Sequence, residues 1–113
     1  MSNLTTPISV EAPLVTLVNV FTVEESRQAE LVDALDRATR EVFVGVPGFI
    51  SANIHASLDG ACVINYAQWV DEQHFKDMQE RSDVRSHIAE IMTIAAKAEP
   101  RLFRVRSIHH PVG

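Results

Sequence analysis

The chain has 113 residues, of which 46% are hydrophobic and 22% are charged, a balance typical of a folded globular domain. Its net charge is −5 and its ten Lys and Arg residues form no run, which argues against a nucleic-acid partner. No apolar stretch approaches the roughly 20 residues that span a bilayer, and the single cysteine excludes an internal disulfide bond. We therefore expect one cytoplasmic domain with no membrane partner, too small to enclose a sizeable organic ligand by itself.

The N-terminal segment, residues 1–13, is rich in Ser, Thr and Pro and shows no hydrophobic period. We expect it to be a flexible arm that precedes a single domain over residues 14–113. The β-rich stretch Leu14–Phe21 predicts the first strand. Thr22 and Glu25 then match a capping box, which predicts that a helix begins directly after this strand.

A helical repeat of apolar residues predicts an amphipathic helix over about Glu24–Val44, which a Gly-Pro-Gly cluster ends. Period-two alternation then predicts a strand over Phe49–Ala56. The turn sequence Ser57–Gly60 indicates a hairpin, and Ala61–Trp69 is its returning strand. These elements predict a strand-helix-strand-strand order for the first part of the domain.

Two further helices and a strand follow. Asp71 is a suitable N-cap for a helix over about Glu72–Arg81, and a third helix is predicted over about Val84–Ala98, ended by Pro100. The final strand is predicted over Leu102–His109. The resulting order β-α-β-β-α-β predicts an α+β, ferredoxin-like fold, a four-stranded antiparallel sheet with its helices on one face.

The predicted first strand is apolar on both sides. Leu14, Val18 and Val20 point one way, whereas the opposite side carries Val15, Leu17 and Phe21. A sheet with helices on one face is expected to expose polar residues on the other. We therefore expect a homodimer in which two copies pack sheet against sheet, with a cavity between each sheet and its helices for a flat apolar ligand.

A few polar side chains interrupt these apolar strands, and they are the first candidate site residues: Asn19, Asn65, Tyr66, Gln68 and, at the strand end, Trp69. Burying an amide costs about 1–3 kcal/mol unless it is hydrogen-bonded. The partners of the two asparagines are open from the sequence, because backbone, water or a ligand oxygen would each serve. The alternation of a strand puts Asn65 and Trp69 on one side.

No motif points to a bound cofactor. The four glycines spell no nucleotide-binding loop, and the five histidines and Cys62 show no metal-binding spacing. We therefore expect no metal site. His87 in the third helix is placed to face a cavity between helix and sheet, although a surface or hydrogen-bonded histidine is the commoner case.

The successive motifs PGFISAN at residues 47–53, SLDG at 57–60 and NYAQW at 65–69 resemble the antibiotic biosynthesis monooxygenase family. The resemblance covers nearly all of the chain after Pro13. It implies a dimeric α+β barrel of ferredoxin-like protomers. It also implies an enzyme that oxidises an anthrone-type aromatic polyketide to a quinone with molecular oxygen, without flavin, haem or metal, by stabilising a substrate carbanion.

The resemblance also implies roles for individual residues. Asn19 and Asn65 would donate hydrogen bonds to substrate oxygens on which negative charge develops, and Trp69 would pack on the rings or donate to the oxygen-derived species. These three are the predicted catalytic residues. The predicted substrate-binding residues are Phe21, Tyr66, Arg85 and His87.

Two other functions remain open. Haem-degrading monooxygenases share this fold and a similar polar set, but they carry an axial histidine about ten residues after the tryptophan, where this chain has Gln79. The second alternative is a dimeric small-molecule binding module without catalytic activity, since a fold alone does not specify a reaction.

Overall fold

The computed structural model describes residues 4–113 and contains one antiparallel four-stranded sheet in the order β2-β3-β1-β4. The elements in chain order are β1 Val15–Thr22, α1 Gln28–Glu41, β2 Phe49–Ala56, β3 Cys62–Trp69, α2 Glu72–Gln79, α3 Ser82–Ile91 and β4 Lys97–Phe103. Short 3-10 turns, Glu25–Arg27 and Phe43–Gly45, flank α1. This order and topology confirm the predicted α+β, ferredoxin-like fold.

The register of the central strands brings the two candidate asparagines together. In the β1–β3 pair, Asn19 lies directly opposite Asn65, and in the β1–β4 pair it lies opposite Pro100. The hairpin that sets the β2–β3 register turns where predicted, with the Ser57 N–H donating to the Cys62 carbonyl at 2.9 Å. The sheet therefore places both amide side chains on the same face.

The helices cover that same face of the sheet. The buried side of α1, with Leu31 and Ala38 both fully buried, packs on Phe21 of β1, Val63 of β3 and Ile91 of α3. A second cluster at the other end of the sheet surrounds Trp69. Burial of aliphatic and aromatic side chains between one sheet face and the helices supplies the core.

The third helix and the last strand differ from their predicted bounds. α3 ends at Ile91 instead of Ala98, and β4 begins at Lys97 and passes through Pro100. Proline is accepted because β4 is an edge strand, where a missing N–H costs no interior ladder bond. Ala95, whose helical spacing suggested a longer helix, lies beyond the end of α3 and is buried in the same core cluster as Ile91.

The last strand also stops earlier than predicted, at Phe103 instead of His109. The reason is its partner: Phe103 pairs with Thr16 near the start of β1, so the residues that follow have no strand beside them. The predicted capping box is wrong as well. Thr22 is still paired in β1, and Glu24, the residue before the first helical turn, makes no side-chain cap.

The other face of the sheet, here called the open face, is crossed at one end by the N-terminal arm. Residues 4–13 contain no helix or strand, and the Gln68 Nε2 donates to the Pro7 carbonyl at 3.0 Å. Gln68 and Thr16 are buried at this end, both only 3% exposed. The flexibility of the arm in solution stays a prediction. Over residues 4–113, no helix has both the length and the apolar character needed to cross a membrane.

Candidate functional site

A cavity of about 460 Å³ lies between the helix-facing side of the sheet and the helices. Its floor comes from β1, β3 and β4, and its roof comes from all three helices and the turn after α1. The lining residues are Leu17, Asn19, Phe21, Leu35, Phe43, Asn65, Phe75, Met78, Gln79, Val84, Arg85, Ile88, Ala89, Ile91, Met92, Ala98 and Pro100. Pockets of this size and apolar lining are typical of small-molecule sites.

This cavity corrects the expectation that one chain is too small to enclose an organic ligand. All of its lining residues belong to a single protomer. The lining includes small side chains of α3 and β4, Ala89 on the helix and Ala98 and Pro100 on the strand. Enclosure of a ligand therefore needs no second copy.

Asn19 and Asn65 are the two amides in the cavity floor. As direct cross-strand neighbours, their Cβ atoms lie about 5 Å apart. The Oδ1 atom of each is fully buried, and neither has a hydrogen-bond partner among the described residues. A polar atom left unpaired in a protein interior costs about 1–3 kcal/mol, and nearly all such atoms are paired in folded proteins. The two amides are therefore candidate partners for a polar group of a ligand.

The chemistry of a side-chain amide suits this position. Half a turn about the last side-chain bond exchanges the oxygen with the NH2 group, so each amide can offer either an acceptor or two donors. Two adjacent amides can therefore bind a carbonyl, a phenol or a phenolate oxygen. Donors aimed at an oxygen on which charge develops act more strongly in an apolar surrounding than in water.

Trp69 lies on the helix-facing side of β3, but four residues and roughly 13 Å along the strand from Asn65. Its ring is 1% exposed and meets Phe49 and Phe75 edge to face, with centroid distances of 5.6 and 6.2 Å. The indole Nε1 is buried and has no acceptor among the described residues. Trp69 does not line the cavity directly; Phe75, which does, packs against it.

The cavity opens between α3 and β4, and the exposed residues that line it include the positively charged Arg85. Ile88 and Met92 are 39% and 40% exposed, which is unusual for large apolar side chains that face an interior. The Arg85 Nε donates to the Gln79 carbonyl at 3.1 Å, and its Nη2 donates to Glu80 at 2.9 Å. Arg85 is therefore held in place with its charge at the rim of an apolar pocket.

The start of α2 is fixed by a local cap that positions two lining residues. The Asp71 carboxylate accepts from the His74 backbone N–H at 2.8 Å, and its Oδ1 lies 2.7 Å from the ring Nδ1 of His74. These hydrogen bonds, the backbone one first, lower the pKa of the Asp71 carboxyl below its ordinary value. This confirms Asp71 as the predicted N-cap. Phe75 and Met78 follow on the buried side of the helix.

The structure does not bring all of the predicted site residues together. Phe21 and Arg85 line the cavity with the two asparagines. Tyr66 lies on the open face, because it is the direct neighbour of Asn65 and strand side chains alternate. His87 is outside the lining and its Nε2 faces the Glu41 carboxylate on α1 at 3.5 Å.

Several lining residues were absent from the predicted set. Phe75 and Met78 on α2 carried a usable signal, since their spacing of three puts both on one face of a predicted helix. No sequence signal pointed to the other three, because a small side chain lines a cavity only by leaving space unfilled. They are Ala89, Ala98 and Pro100. Within residues 4–113, no three His, Cys, Asp or Glu side chains come together as a metal-binding group.

Comparison with known proteins relates this architecture to characterised enzymes. The chain is 44% identical over 80 residues, 71% of each chain, to a tetracenomycin-F1 monooxygenase of Streptomyces glaucescens. SnoaB, a cofactor-independent oxygenase of Streptomyces nogalater, has 26% identity and a TM-score of 0.77, covering 86% of this chain and 97% of its own. The ActVA-Orf6 monooxygenase of Streptomyces coelicolor, solved with Nanaomycin D, has 28% identity and a TM-score of 0.73, covering 89% and 94%.

The sequence profile described as antibiotic biosynthesis monooxygenase matches residues 14–90, more than half of the chain. The predicted resemblance is thereby confirmed. The matched stretch contains β1, β3 and α2, and hence both cavity asparagines. The chain is a member of the antibiotic biosynthesis monooxygenase family.

Proposed function

We propose that this protein is a cofactor-independent monooxygenase that oxidises an anthrone-type aromatic polyketide to a quinone with molecular oxygen. The observation that carries the proposal is the pair of amides in the floor of a mostly apolar cavity, Asn19 and Asn65, whose Oδ1 atoms have no partner within residues 4–113. A flat aromatic compound with oxygens along one edge would fit both the amide pair and the apolar lining. Its rings would contact the apolar lining and its oxygen would occupy the amide pair.

The relatives support the reaction class. The tetracenomycin-F1 enzyme and the ActVA-Orf6 protein are both named monooxygenases, and SnoaB is described as a cofactor-independent oxygenase. That description supports the expectation that no flavin, haem or metal takes part. Oxygen then has to react with the substrate itself, which requires an electron-rich form of the substrate.

An anthrone supplies such a form. Loss of a proton from its central CH2 gives a carbanion that is delocalised onto the opposite oxygen as a phenolate. The anion passes one electron to O2, and the resulting radical and superoxide combine to form a C–O bond. Protonation gives a hydroperoxide, which loses water. The CH2 thus becomes the C=O of the quinone, and the second oxygen atom leaves as water.

The protein's part in this sequence is to stabilise the anion. Amide N–H groups of Asn19 and Asn65 would donate to the phenolate oxygen in the floor of a mostly apolar cavity. Because the amides are held by paired strands, little reorganisation is needed when the charge forms. Phe21, beside Asn19 on the same face, would contact the rings.

Arg85 and Trp69 take supporting roles in this proposal. The Arg85 guanidinium at the cavity mouth would attract an ionised oxygen of the entering substrate. The Trp69 Nε1–H, which has no acceptor among the described residues, would donate a hydrogen bond to an oxygen-derived species once the Phe75 ring moves aside. Tyr66 is not included, because it faces away from the cavity of its own protomer.

The haem-degrading alternative loses support from the lining. Such an enzyme needs a histidine on the helix side of the cavity, and the chain places Gln79 there. His74 is held by Asp71, and His87 faces Glu41; neither lines the cavity. The observed donors are amides, which are poor axial ligands for iron.

A homodimer is part of the same proposal. The open face carries an apolar strip on β1 and β4, where Val18, Val20 and Phe103 surround a hollow. Both edges of the sheet are unsuited to pairing: β2 carries a bulge between Phe49 and Ser51, and β4 contains Pro100. A second copy would therefore pack on the face of the sheet and not on its edge.

The reaction is tested with chelator-treated, flavin-free protein and an anthrone, followed by quinone absorbance in air and under nitrogen. We expect acceleration over buffer in air and none under nitrogen. Binding of the anthrone without oxygen-dependent turnover would overturn the proposal and leave a non-catalytic binding module. An absorption band with added hemin and no anthrone turnover would favour the haem-degrading alternative.

A further inference from the structure

The N-terminal arm is attached to the open face through polar contacts. Thr6 Oγ1 donates to Asn53 Oδ1 at 2.6 Å, and Gln68 Nε2 donates to the Pro7 carbonyl at 3.0 Å. Asn53 also donates to the Tyr66 carbonyl at 2.9 Å, so the arm is linked to β2 and β3 through one amide. The path of the arm over the sheet is thus set by specific hydrogen bonds.

The apolar side chains of the arm do not close on the sheet. Ile8 and Val10 remain 50% and 49% exposed, while the polar groups of neighbouring residues face the protein. A segment that only sealed its own protomer would be expected to bury its aliphatic side chains and expose its polar groups. The arm thus combines polar contacts to its own protomer with two half-exposed aliphatic side chains.

These side chains continue the apolar strip of the open face. Ile8 lines a hollow with Tyr66 of β3, and Tyr66 pairs across the sheet with Val18 of β1. Val10 lines a second hollow with Val105, which follows the last strand. The arm therefore borders the strip at its end and enlarges it on both sides.

The charges beside the strip fit a second copy of this chain. Glu99 and Arg101 line the same hollow as Val18 and Val20. Arg101 forms no ion pair among the described residues, and the Glu99 carboxylate lies 3.7 Å from the Lys97 ammonium, at the limit of an ion pair. A two-fold axis that ran across the strands at this hollow would bring Glu99 of each copy toward Arg101 of the other, the reciprocal pattern that a symmetric dimer needs.

We propose that the N-terminal arm is a structural part of the homodimer interface, with Ile8 and Val10 packing against the second copy. The inference rests on the homodimer in the proposed function and adds the segment that frames it. The arm lies before residue 14, outside the stretch that matches the family.

The test measures the dimer dissociation constant by sedimentation equilibrium for the full chain and for the double variant Ile8→Asp, Val10→Asp. We expect at least a tenfold weaker dimer, since each substitution removes the burial of an aliphatic side chain. Leu58→Asp is the matched control, because Leu58 is a fully exposed aliphatic residue in the β2–β3 turn. It should leave the constant unchanged.

A second variant separates an interface role from a role within the protomer. Thr6→Val removes the hydrogen bond to Asn53 and should weaken the dimer a few-fold while leaving anthrone turnover per protomer unchanged above the dissociation constant. A dimeric wild type whose constant is unaffected by all the arm variants would overturn the arm proposal alone. A wild type that stays monomeric would overturn the proposed homodimer as well, without bearing on the oxidation assay.

Discussion

The two faces of the central sheet differ in how the protein hydrogen-bonds their asparagine side chains. On the open face, the Asn53 amide has three hydrogen-bond partners: Thr6, Ser51 and the Tyr66 carbonyl. On the helix-facing side, the Oδ1 atoms of Asn19 and Asn65 have no partner among the described residues. An amide that organises the fold is paired by the protein, whereas an amide that serves a ligand is left for the ligand to pair.

The same contrast holds for the empty space on each side. The helix-facing cavity measures about 460 Å³, is lined mostly by apolar residues and is built by one chain. The hollows along the strip and beneath the arm, on the part of the open face that the structure describes, are smaller, about 170 and 290 Å³. The helix-facing side is thus organised for a small molecule, and the open face is organised for a protein surface.

The largest expected effect comes from removing a cavity amide. Asn65→Ala and Asn19→Ala should each lower the turnover number with an anthrone by about 10²–10³, the usual cost of losing one donor to a developing oxyanion. The melting temperature should not fall, because no protein partner of the Oδ1 atom is lost. Steady-state kinetics and thermal unfolding measure both quantities.

The matched control for this prediction is Asn53→Ala. It should lower the free energy of unfolding by about 2 kcal/mol, because it leaves the partners of Asn53 unpaired, and it should keep turnover within about two-fold. If Asn53→Ala and Asn65→Ala affected turnover equally, the distinction between the two faces would be wrong.

A smaller effect is expected from narrowing the cavity. Ala89→Trp places an indole at the mouth between α3 and β4 and should raise the KM for the aromatic substrate by about tenfold. Ser86→Trp is the control, because Ser86 is exposed on the same helix and does not line the cavity. Equal KM values for the two variants would show that the substrate enters elsewhere.

The open face is tested through its charges. Arg101→Glu should weaken the dimer by about tenfold by placing like charges across the two-fold axis. Combining it with Glu99→Arg restores opposite charges and should recover most of the affinity. A double variant no better than Arg101→Glu would contradict the reciprocal pairing, as measured by sedimentation equilibrium.

The smallest effects concern two buried polar residues under the arm. Thr16 Oγ1 has no partner among the described residues, so Thr16→Val should raise the free energy of unfolding by about 1 kcal/mol. Gln68→Leu should lower it by a similar amount, because Gln68 accepts from Ser51 and donates to the Pro7 carbonyl. Chemical denaturation of the two variants checks the opposite signs.

The fold was predictable because its elements follow local patterns. Alternation in Phe49–Ala56 and the helical repeat of α1 specify strand and helix without tertiary information. The ends of α3 and β4 were not predictable, since they depend on where β1 offers a partner. Pro100, which suggested a helix end, is accommodated by an edge strand, a position that only the topology defines.

The site was predictable only in part, for a related reason. The two asparagines stand out as polar residues in apolar strands, but their direct pairing follows from a register that the sequence does not state. The alternation of side chains along a strand was enough to exclude Tyr66 from the cavity, since Tyr66 is the direct neighbour of Asn65. The cavity between the sheet and the helices was predicted, but the residues of α3 and β4 that line it, Ala89, Ala98 and Pro100, were not, because small residues give no pattern in the sequence.

The central claim is that the cavity amides are reserved for a ligand oxygen. The most direct measurement is a two-dimensional 15N–1H spectrum of the side-chain amide groups, recorded while an anthraquinone-type product is added. We predict that the Asn19 and Asn65 NH2 resonances shift together and saturate, while those of Asn53 stay in place. Saturable binding with both cavity resonances unmoved would contradict the account.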